Sequence, residues 1–182
     1  MGPQRRVLWL NGTFGVGKTT TARHICSADA TWHVFDPEWV GYMLRANLSG
    51  FETADFQDLP AWRTLVPRVA HEVATHTGKD LLAVQTVLRQ DYWRQLRAGL
   101  SSHGMQVVHV VLDAGPDVLA DRIRQDQADP NAAAWRLDHV AAYQEARAWM
   151  TGAADLVVDT GALSAVDTAQ KVLAHLGDRD RG

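Results

Sequence analysis

The sequence contains Gly12-Thr13-Phe14-Gly15-Val16-Gly17-Lys18-Thr19, which matches the pattern G-x-x-x-x-G-K-T that is typical of a phosphate-binding loop. A short apolar run at 7–10 precedes this loop, and residues 18–28 follow it with a helical pattern. Glycines let backbone N–H groups point at a phosphate, and the amino end of the following helix adds partial positive charge. We expect Lys18 to reach the outer phosphates of a nucleotide and the Thr19 hydroxyl to bind Mg²⁺. The alternative interpretation is a glycine-rich turn with an exposed lysine.

Short apolar runs and helical patterns alternate along the rest of the chain. The predicted strands are residues 7–10, 32–35, 80–88, 106–112 and 156–158. The predicted helices are residues 18–28, 38–48, 55–76 (broken or kinked near Pro60 and Pro67), 90–103, 116–125, 131–150 and 164–176. Strands that are apolar on both faces and separated by helices favour an α/β fold, with a parallel sheet covered on both sides. We predict one domain over residues 1–177 and a frayed tail at 178–182.

Length and composition are those of one globular domain. The chain has 182 residues, of which 46% are hydrophobic and 21% charged, and its formal net charge is −3. This acidic balance argues against a dedicated nucleic-acid-binding protein. The single cysteine, Cys26, excludes a disulfide within the chain, and no apolar stretch approaches the ~18 residues of a membrane span. We expect a cytoplasmic protein, monomeric or homodimeric, with a small-molecule partner, no nucleic acid and no integral membrane segment.

The residues around the loop separate the classes of nucleotide-binding protein. The sequence lacks the N-K-x-D segment with which GTPases read the base, and it is short for a motor or AAA-type ATPase. The predicted third strand ends in Gln85-Thr86 without an acid, whereas Asp113 follows the fourth. We therefore expect the Mg²⁺ site to rely on Thr19, the nucleotide, water and Asp36. The residues expected to contact ATP are Gly12, Thr13, Phe14, Gly15, Val16, Gly17, Lys18, Thr19, Thr20, Arg122 and Arg136.

Asp36 follows the predicted second strand and is the first candidate for catalysis on the acceptor side. In an open parallel sheet, the carboxyl ends of the strands line the ligand crevice, which places Asp36 near the outermost phosphate. A carboxylate there can accept the proton of an acceptor hydroxyl or hold water on Mg²⁺. The alternative is a helix cap, because Asp before Pro is typical of a helix start. Glu38 is a weaker candidate for the same role.

A segment rich in polar and aromatic residues follows, and we expect helices at about 37–78 to bind the acceptor. Guanidinium groups bind anionic or sugar-bearing molecules through paired hydrogen bonds, and aromatic rings can stack on a base or sugar ring. The candidate acceptor-binding residues are Asp36, Arg45, Phe56, Trp62, Arg63, Gln85 and Thr86. The alternative interpretation places each tryptophan in the core and each arginine on the solvated surface. The helix predicted at 38–48 has one apolar stripe, formed by Trp39, Tyr42, Met43 and Ala46.

The segment at about 126–135 has the composition of a lid over the phosphates. Arg122 and Arg124 lie at the end of the preceding helix, and Arg136 follows the polar stretch. An arginine beside a mobile loop can neutralise the charge that develops on a transferred phosphoryl group. The alternative is an ordinary helix with charge pairs such as Asp121 with Arg124. Residues 159–161 follow the predicted fifth strand, where an adenine ring would lie.

Several motifs together resemble the tunicamycin resistance protein family, a branch of the P-loop small-molecule kinases. They are residues 9–19, Phe35-Asp-Pro-Glu38 with Gly41 and Leu44-Arg45, and Asp55-Phe-Gln57 with Trp62-Arg63. The resemblance extends over residues 7–176 and is strongest before residue 90. It implies ATP binding and a three-layer α/β/α fold like those of nucleoside and shikimate kinases, with five parallel strands in the order 2-3-1-4-5. It also implies a role in resistance to a uridine-containing antibiotic.

Three functional hypotheses follow from these residues. The first is a kinase that transfers the ATP γ-phosphoryl group to a small nucleoside-like or sugar-bearing acceptor such as tunicamycin, with Lys18, Asp36, Arg122 and Arg124 as catalytic residues. The second is a protein that binds ATP and sequesters the antibiotic without phosphoryl transfer, which the missing acid after the third strand favours. The third is a kinase for nucleic-acid or polyphosphate ends, which the acidic balance disfavours.

Overall fold

The computed structural model describes residues 4–50, 53–126 and 133–179. The strands are β1 (Arg6–Asn11), β2 (Trp32–Phe35), β3 (Asp80–Val84), β4 (Gln106–Asp113) and β5 (Leu156–Asp159). The helices are α1 (Lys18–Ala28), α2 (Glu38–Asn47), α3 (Pro60–Thr77), α4 (Gln90–Ser102), α5 (Pro116–Gln125), α6 (Ala133–Gly152) and α7 (Ala165–Arg179). A 3₁₀ turn at Phe56–Asp58 precedes α3.

The strands form one parallel sheet in the order β2-β3-β1-β4-β5, which confirms the expected topology. The strand that leads into the phosphate loop therefore lies at the centre, where Leu8 pairs with Leu82 on one side and Val108 on the other. The carboxyl ends of β3 and β4 flank the loop. Side chains that follow these strands consequently meet the loop at one edge of the sheet.

The central strand is buried on both faces, because helices cover both sides of the sheet. Successive side chains of a strand point to opposite faces. Leu8 and Leu10 join one apolar cluster with residues of α1, α5, α6 and α7. Val7 and Trp9 join a second cluster with residues of α2, α3 and α4. The result is the three-layer α/β/α arrangement expected from the uninterrupted apolar strands.

Helix α2 forms where it was predicted, but its apolar stripe faces solvent. The buried residues of α2 are Val40, Gly41 and Leu44. Gly41 lies against the ring of Phe56, and a Cβ atom at this glycine would stand 2.5 Å from a ring carbon. This close approach turns the opposite face outward, and Trp39 is consequently 71% exposed. The exposed stripe consists of Trp39, Tyr42, Met43 and Ala46.

The predicted helical region at 55–76 resolves into the 3₁₀ turn and the continuous helix α3. Pro60 begins α3, where its missing N–H has no helical partner to lose. Pro67 lies inside α3 without ending it. Its ring packs on Gly99 of α4, where a Cβ atom would lie 2.7 Å from the proline Cγ.

The ends of the domain differ slightly from the expectation. Helix α7 continues through Arg179, so residues 178 and 179 of the predicted tail are helical, and residues 180–182 lie outside the described residues. Of the predicted lid at 126–135, residues 127–132 also lie outside the described residues. Among the helices described, none is both long enough and apolar enough to cross a membrane.

The Gly41–Phe56 contact yields a prediction about stability. We expect Gly41→Val to lower the free energy of unfolding by about 2 kcal/mol, because overpacking a buried contact costs roughly 1–3 kcal/mol. The matched control is Gly152→Val near the end of α6, where a Cβ atom would meet nothing within 4 Å. Urea denaturation measures both variants. Equal losses of stability would show that the contact with Phe56 does not set the packing of α2.

Candidate functional site

The phosphate loop adopts a backbone conformation that its glycines make possible. Gly12 and Gly17 have φ values of 130° and 93°, in the region that residues other than glycine rarely adopt. A Cβ atom at Gly12 would lie only 2.4 Å from the carbonyl oxygen of Leu112. Gly17 immediately precedes α1, so the loop leads directly into the amino end of a helix. This geometry fits the binding of an anion by backbone N–H groups.

The buried side chain of Asn11 holds the start of the loop in place. Its Oδ1 accepts hydrogen bonds of 2.9 Å from the backbone N–H groups of Gly12 and Val87. Its Nδ2 donates to the carbonyl of Val87 at 3.2 Å and lies 3.4 Å from Nε2 of His109. Burial lowers the pKa of His109 to about 4, so its imidazole is neutral near pH 7. The sequence predicted no role for Asn11, because that role arises from its bonds to the segment that follows β3.

Lys18 turns back into the loop that it follows. Its Nζ donates hydrogen bonds of 2.9 Å to the carbonyl oxygens of Gly12 and Thr13. The Thr86 hydroxyl also donates to the Gly12 carbonyl, at 2.7 Å. Burial lowers the pKa of Lys18 to about 7, and the negative charge of Glu38 opposes this shift. Near neutral pH the charge of this lysine is therefore sensitive to its surroundings.

A cavity of about 1190 Å³ extends from the loop across the carboxyl edge of the sheet. Residues of α1, α2, the 3₁₀ turn, α5 and α6 line it, together with the segment after β3. The structure thus brings together most of the predicted site residues. Those that line the cavity are Thr13, Phe14, Gly15, Gly17, Lys18, Thr19, Thr20, Asp36, Arg45, Phe56, Gln85, Thr86, Arg122 and Arg136.

Two loop residues and one lid arginine among the predicted site residues are not part of the cavity lining. Gly12 and Val16 are buried members of the loop and do not face the cavity. Arg124 pairs with Asp121 at 3.1 Å on the exposed side of α5, which is the alternative arrangement considered for this helix.

Trp62 and Arg63 also lie outside the cavity lining, although both were predicted to bind the acceptor. Trp62 is fully buried, and its Nε1 donates to the carbonyl of Pro37 at 3.1 Å. The Arg63 guanidinium donates to Oε1 of Gln95 at 2.8 Å and to the carbonyl of Gln57. Both side chains therefore support the wall of the cavity from behind.

Asp36 combines the two roles considered for it. Its Oδ1 accepts a hydrogen bond of 2.9 Å from the backbone N–H of Glu38 at the start of α2. Its side chain also lines the cavity, as does that of Glu38. The Tyr42 hydroxyl donates to Oε2 of Glu38 at 3.0 Å and holds that carboxylate in place.

The wall opposite the loop contains residues that the sequence analysis did not predict to be part of the site. Arg89, Tyr92 and Asp58 all line the cavity. The Tyr92 hydroxyl donates to Oδ1 of Asp58 at 2.7 Å. The guanidinium carbons of Arg63 and Arg89 each lie 4.1 Å from the centroid of the Tyr92 ring. The only available signal was that Arg89 falls between a predicted strand and a predicted helix, in the position of a loop at the sheet edge.

Arg122 connects the phosphate loop with the loop after β5, which in turn is bonded to the end of β4. Its guanidinium donates to the carbonyl and the hydroxyl of Thr160, at 2.7 and 3.2 Å, in the loop that follows β5. It also lies 3.5 Å from the carbonyl oxygen of Gly15 in the phosphate loop. Thr160 in turn donates its N–H to the carbonyl of Asp113 at the end of β4, at 2.7 Å. Arg122 is therefore placed between the phosphate loop and the predicted adenine position.

The amino end of α6 covers the phosphate loop with aromatic rings. The rings of Phe14 and Trp135 are 4.9 Å apart, and His139 lies 4.0 Å from Trp135. Arg136, between them, donates to Oδ2 of Asp126 at 2.8 Å. Trp135 and His139 line the cavity and were not predicted, because their helix gave no motif.

Asp113, the acid at the end of β4, is buried and accepts hydrogen bonds from two side chains of α6. Arg147 donates to its Oδ2 at 2.6 Å, and the Tyr143 hydroxyl donates to its Oδ1 at 2.7 Å. Burial alone would raise the pKa of Asp113, but these hydrogen bonds outweigh it and lower the pKa. Asp113 is not among the residues that line the cavity. Within the described residues, this leaves Thr19 and Asp36 as the expected protein contribution to a Mg²⁺ site.

A central phosphate loop, a sheet of this order and an adjoining cavity define a P-loop kinase-like protein. The chain matches the model of an AAA domain family over residues 7–150 and belongs to that family. No curated protein matches the sequence.

Several solved structures share the fold. The tunicamycin resistance protein of Deinococcus radiodurans is 25% identical, with a TM-score of 0.75 over 94% of this chain and 96% of that one. A shikimate kinase from Acinetobacter baumannii is 18% identical, with a TM-score of 0.64 over 96% and 94%. A gluconokinase from Sinorhizobium meliloti 1021 is 18% identical, with a TM-score of 0.65 over 96% and 94%. The resemblance drawn from the motifs is thereby confirmed.

The environment of Lys18 yields a prediction about pH. We expect the affinity for ADP in metal-free buffer to fall as the pH rises from 7 to 9, approaching tenfold per pH unit. The reason is that phosphate binding favours the protonated amine, whereas the free lysine, with a pKa of about 7, loses its proton over this range. Isothermal titration calorimetry at constant ionic strength measures the slope.

Lys18→Arg is the matched control, because a guanidinium group keeps its charge throughout this pH range. We expect this variant to bind ADP with little dependence on pH. The same slope in the variant and the natural protein would mean that a group other than Lys18 titrates.

Proposed function

We propose that this protein is a kinase that transfers the γ-phosphoryl group of ATP to a hydroxyl of a small nucleoside-like or sugar-bearing acceptor. One observation carries the proposal: a single cavity contains Lys18 and Thr19 of the phosphate loop together with Asp36, which follows the edge strand β2. A phosphate donor and a base for an acceptor hydroxyl can therefore occupy the same cavity.

The phosphate side suits a nucleotide with Mg²⁺. The loop N–H groups and Lys18 would bind the phosphates, and Arg122 would contact the nucleotide beside Thr160. The Thr19 hydroxyl and the Asp36 carboxylate supply oxygen ligands of the kind that Mg²⁺ prefers. The described residues contain no group of three or more acids, histidines or cysteines arranged to hold one metal ion, so phosphates and water would supply the other ligands. Bound Mg²⁺ would neutralise charge on the phosphates.

Asp36 would act as the base. Its Oδ1 is engaged by the helix start, and no residue in the described part of the chain donates to its Oδ2. In the proposed reaction the acceptor oxygen bonds to the γ-phosphorus while the bond from that phosphorus to the β,γ-bridging oxygen breaks. ADP leaves, and the proton of the acceptor hydroxyl moves to Asp36. Arg122 and Arg136 would stabilise the negative charge of the transferred group.

The similarity to a protein named for tunicamycin resistance supports tunicamycin, or a related nucleoside-like compound, as the acceptor. Phosphorylation would then inactivate the compound and give resistance. The need for ATP is consistent with action in the cytoplasm.

A second candidate function is sequestration of the antibiotic without transfer. It is favoured because neither strand beside the phosphate loop ends in an acid that is available to Mg²⁺. The residues after β3 are Gln85 and Thr86, and Asp113 at the end of β4 pairs with Arg147. In this case ATP would order the cavity and would not be consumed.

Asp36→Asn separates the two candidates. Asparagine also caps helices well, so the start of α2 is retained. We expect the natural protein to transfer label from γ-labelled ATP to tunicamycin in the presence of Mg²⁺. We expect the variant to lose at least a hundredfold in rate, the contribution typical of a general base, while still binding tunicamycin.

Asp117→Asn on α5, an exposed residue that is not part of the cavity lining, is the control and should retain full activity. Binding of both ATP and tunicamycin by the natural protein with no labelled product would contradict transfer to this acceptor and support sequestration.

A further inference from the structure

The two sides of the cavity wall carry opposite charges, and different helices and loops supply each side. The phosphate side carries basic groups from α1, α5 and α6, which are Lys18, Arg23, Arg122 and Arg136. Asp126, the acid on that side, pairs with Arg136. The acceptor side carries acids from the segment after β2, the start of α2 and the 3₁₀ turn, which are Asp36, Glu38, Asp55 and Asp58. An acceptor therefore enters between a basic wall and an acidic wall.

Each of the four acids on the acceptor side uses one oxygen to hold its own position. Asp36 and Asp55 each accept one hydrogen bond of 2.9 Å from a backbone N–H two residues ahead. Glu38 and Asp58 accept from the hydroxyls of Tyr42 and Tyr92. Over the described ranges, the second oxygen of each carboxylate receives no hydrogen bond, and none of the four acids forms a salt bridge with a lysine or arginine.

Two arginines share the acceptor side, and both are already engaged. Arg89 pairs with Asp91 at 2.9 Å, an acid that is not part of the cavity lining. Arg45 donates to the carbonyl of Ala54 at 3.1 Å and lies 5.5 Å from the centroid of the Phe56 ring. Four carboxylates therefore line this side with two guanidinium groups, one of which has its own acidic partner, and a third guanidinium, that of Arg63, lies behind the wall against the Tyr92 ring. The acceptor side has an excess of negative charge.

Gln85 supplies a second and independent observation. It lines the cavity, yet the residue is only 5% exposed. Its Nε2 donates to the carbonyl of Thr86 at 3.3 Å, which sets the orientation of the amide. Its buried Oε1 has no hydrogen-bond partner among the described residues. Buried polar atoms almost always find a partner, so this oxygen points to a donor that the ligand would supply.

From these groups we infer that the acceptor is rich in O–H or N–H donors and carries no acidic group, as in a neutral or amine-bearing glycoside. Carboxylate oxygens and an amide oxygen accept hydrogen bonds but cannot donate them, so they select a donor-rich ligand. An anionic acceptor would meet like charge on this wall. This inference rests on the proposed function, because it concerns the acceptor half of the same cavity.

Three pools of hydroxylated compounds test the inference. The neutral pool holds glucose, N-acetylglucosamine, uridine and tunicamycin; the amine-bearing pool holds glucosamine and kanamycin; the anionic pool holds gluconate, shikimate and uridine monophosphate. Thermal shift with a non-hydrolysable ATP analogue and Mg²⁺ measures binding, and γ-labelled ATP measures transfer. We expect binding and labelled product in the first two pools and none in the anionic pool.

Three variants locate the effect on the acceptor wall. We expect Asp55→Asn and Asp58→Asn to weaken binding of the best compound at least fivefold, and Gln85→Leu to do so through loss of the amide oxygen. ADP affinity should change less than twofold in all three, because the phosphate loop is unaltered. Asp117→Asn is the control for removal of a carboxylate elsewhere. Unchanged binding in both Asp variants would overturn the role of this wall.

The outcomes separate this inference from the proposed function. Label on an anionic compound overturns the inference and leaves the kinase activity standing. Binding in the neutral or amine-bearing pools without transfer supports the inference and contradicts the kinase activity. No binding in either of these two pools overturns the inference.

Discussion

The bonds of the Asn11 side chain set the position of the phosphate loop on the sheet. Asn11 ends the central strand, and its amide ties the first N–H of the loop to both backbone groups of Val87. Since an unpaired buried amide is costly, this arrangement defines how the loop meets the segment after β3. The Thr86 hydroxyl adds a bond to the Gly12 carbonyl, which Lys18 also contacts. The phosphate side and the acceptor side thus share one hydrogen-bonded junction.

The topology of the sheet explains why the two halves of the cavity differ in charge. Strand β1 lies between β3 and β4, so the loop meets residues that follow both neighbours. On one side, α5 and α6 bring Arg122 and Arg136 into the cavity beside the phosphate loop. On the other, β2 lies at the edge of the sheet and directs Asp36 and the acids of the following segment into the opposite wall. A basic half suits phosphates, and an acidic half selects against anions.

Much of the fold could be predicted because its signals are local. The strand Trp32–Phe35 and the helices Lys18–Ala28 and Pro116–Gln125 have the predicted bounds, each with a clear apolar run or a proline or glycine at its boundary. The orientation of α2 could not be predicted. Its stripe of aromatic residues has the helical period, but the contact of Gly41 with Phe56 turns the other face inward. Periodicity identifies a helix, whereas its buried face depends on which neighbour approaches most closely.

The sequence by itself determined the phosphate loop, the alternation of strands and helices and the place of Asp36 after the second strand, because each depends on residues close together in the chain. Only the tertiary structure decided which side chains reach the cavity. Trp62 and Arg63 have suitable chemistry but lie behind the wall, whereas Arg89 and Tyr92 line the cavity without belonging to a motif. Packing between helices distant in the chain makes that selection, and no local pattern encodes the distances involved.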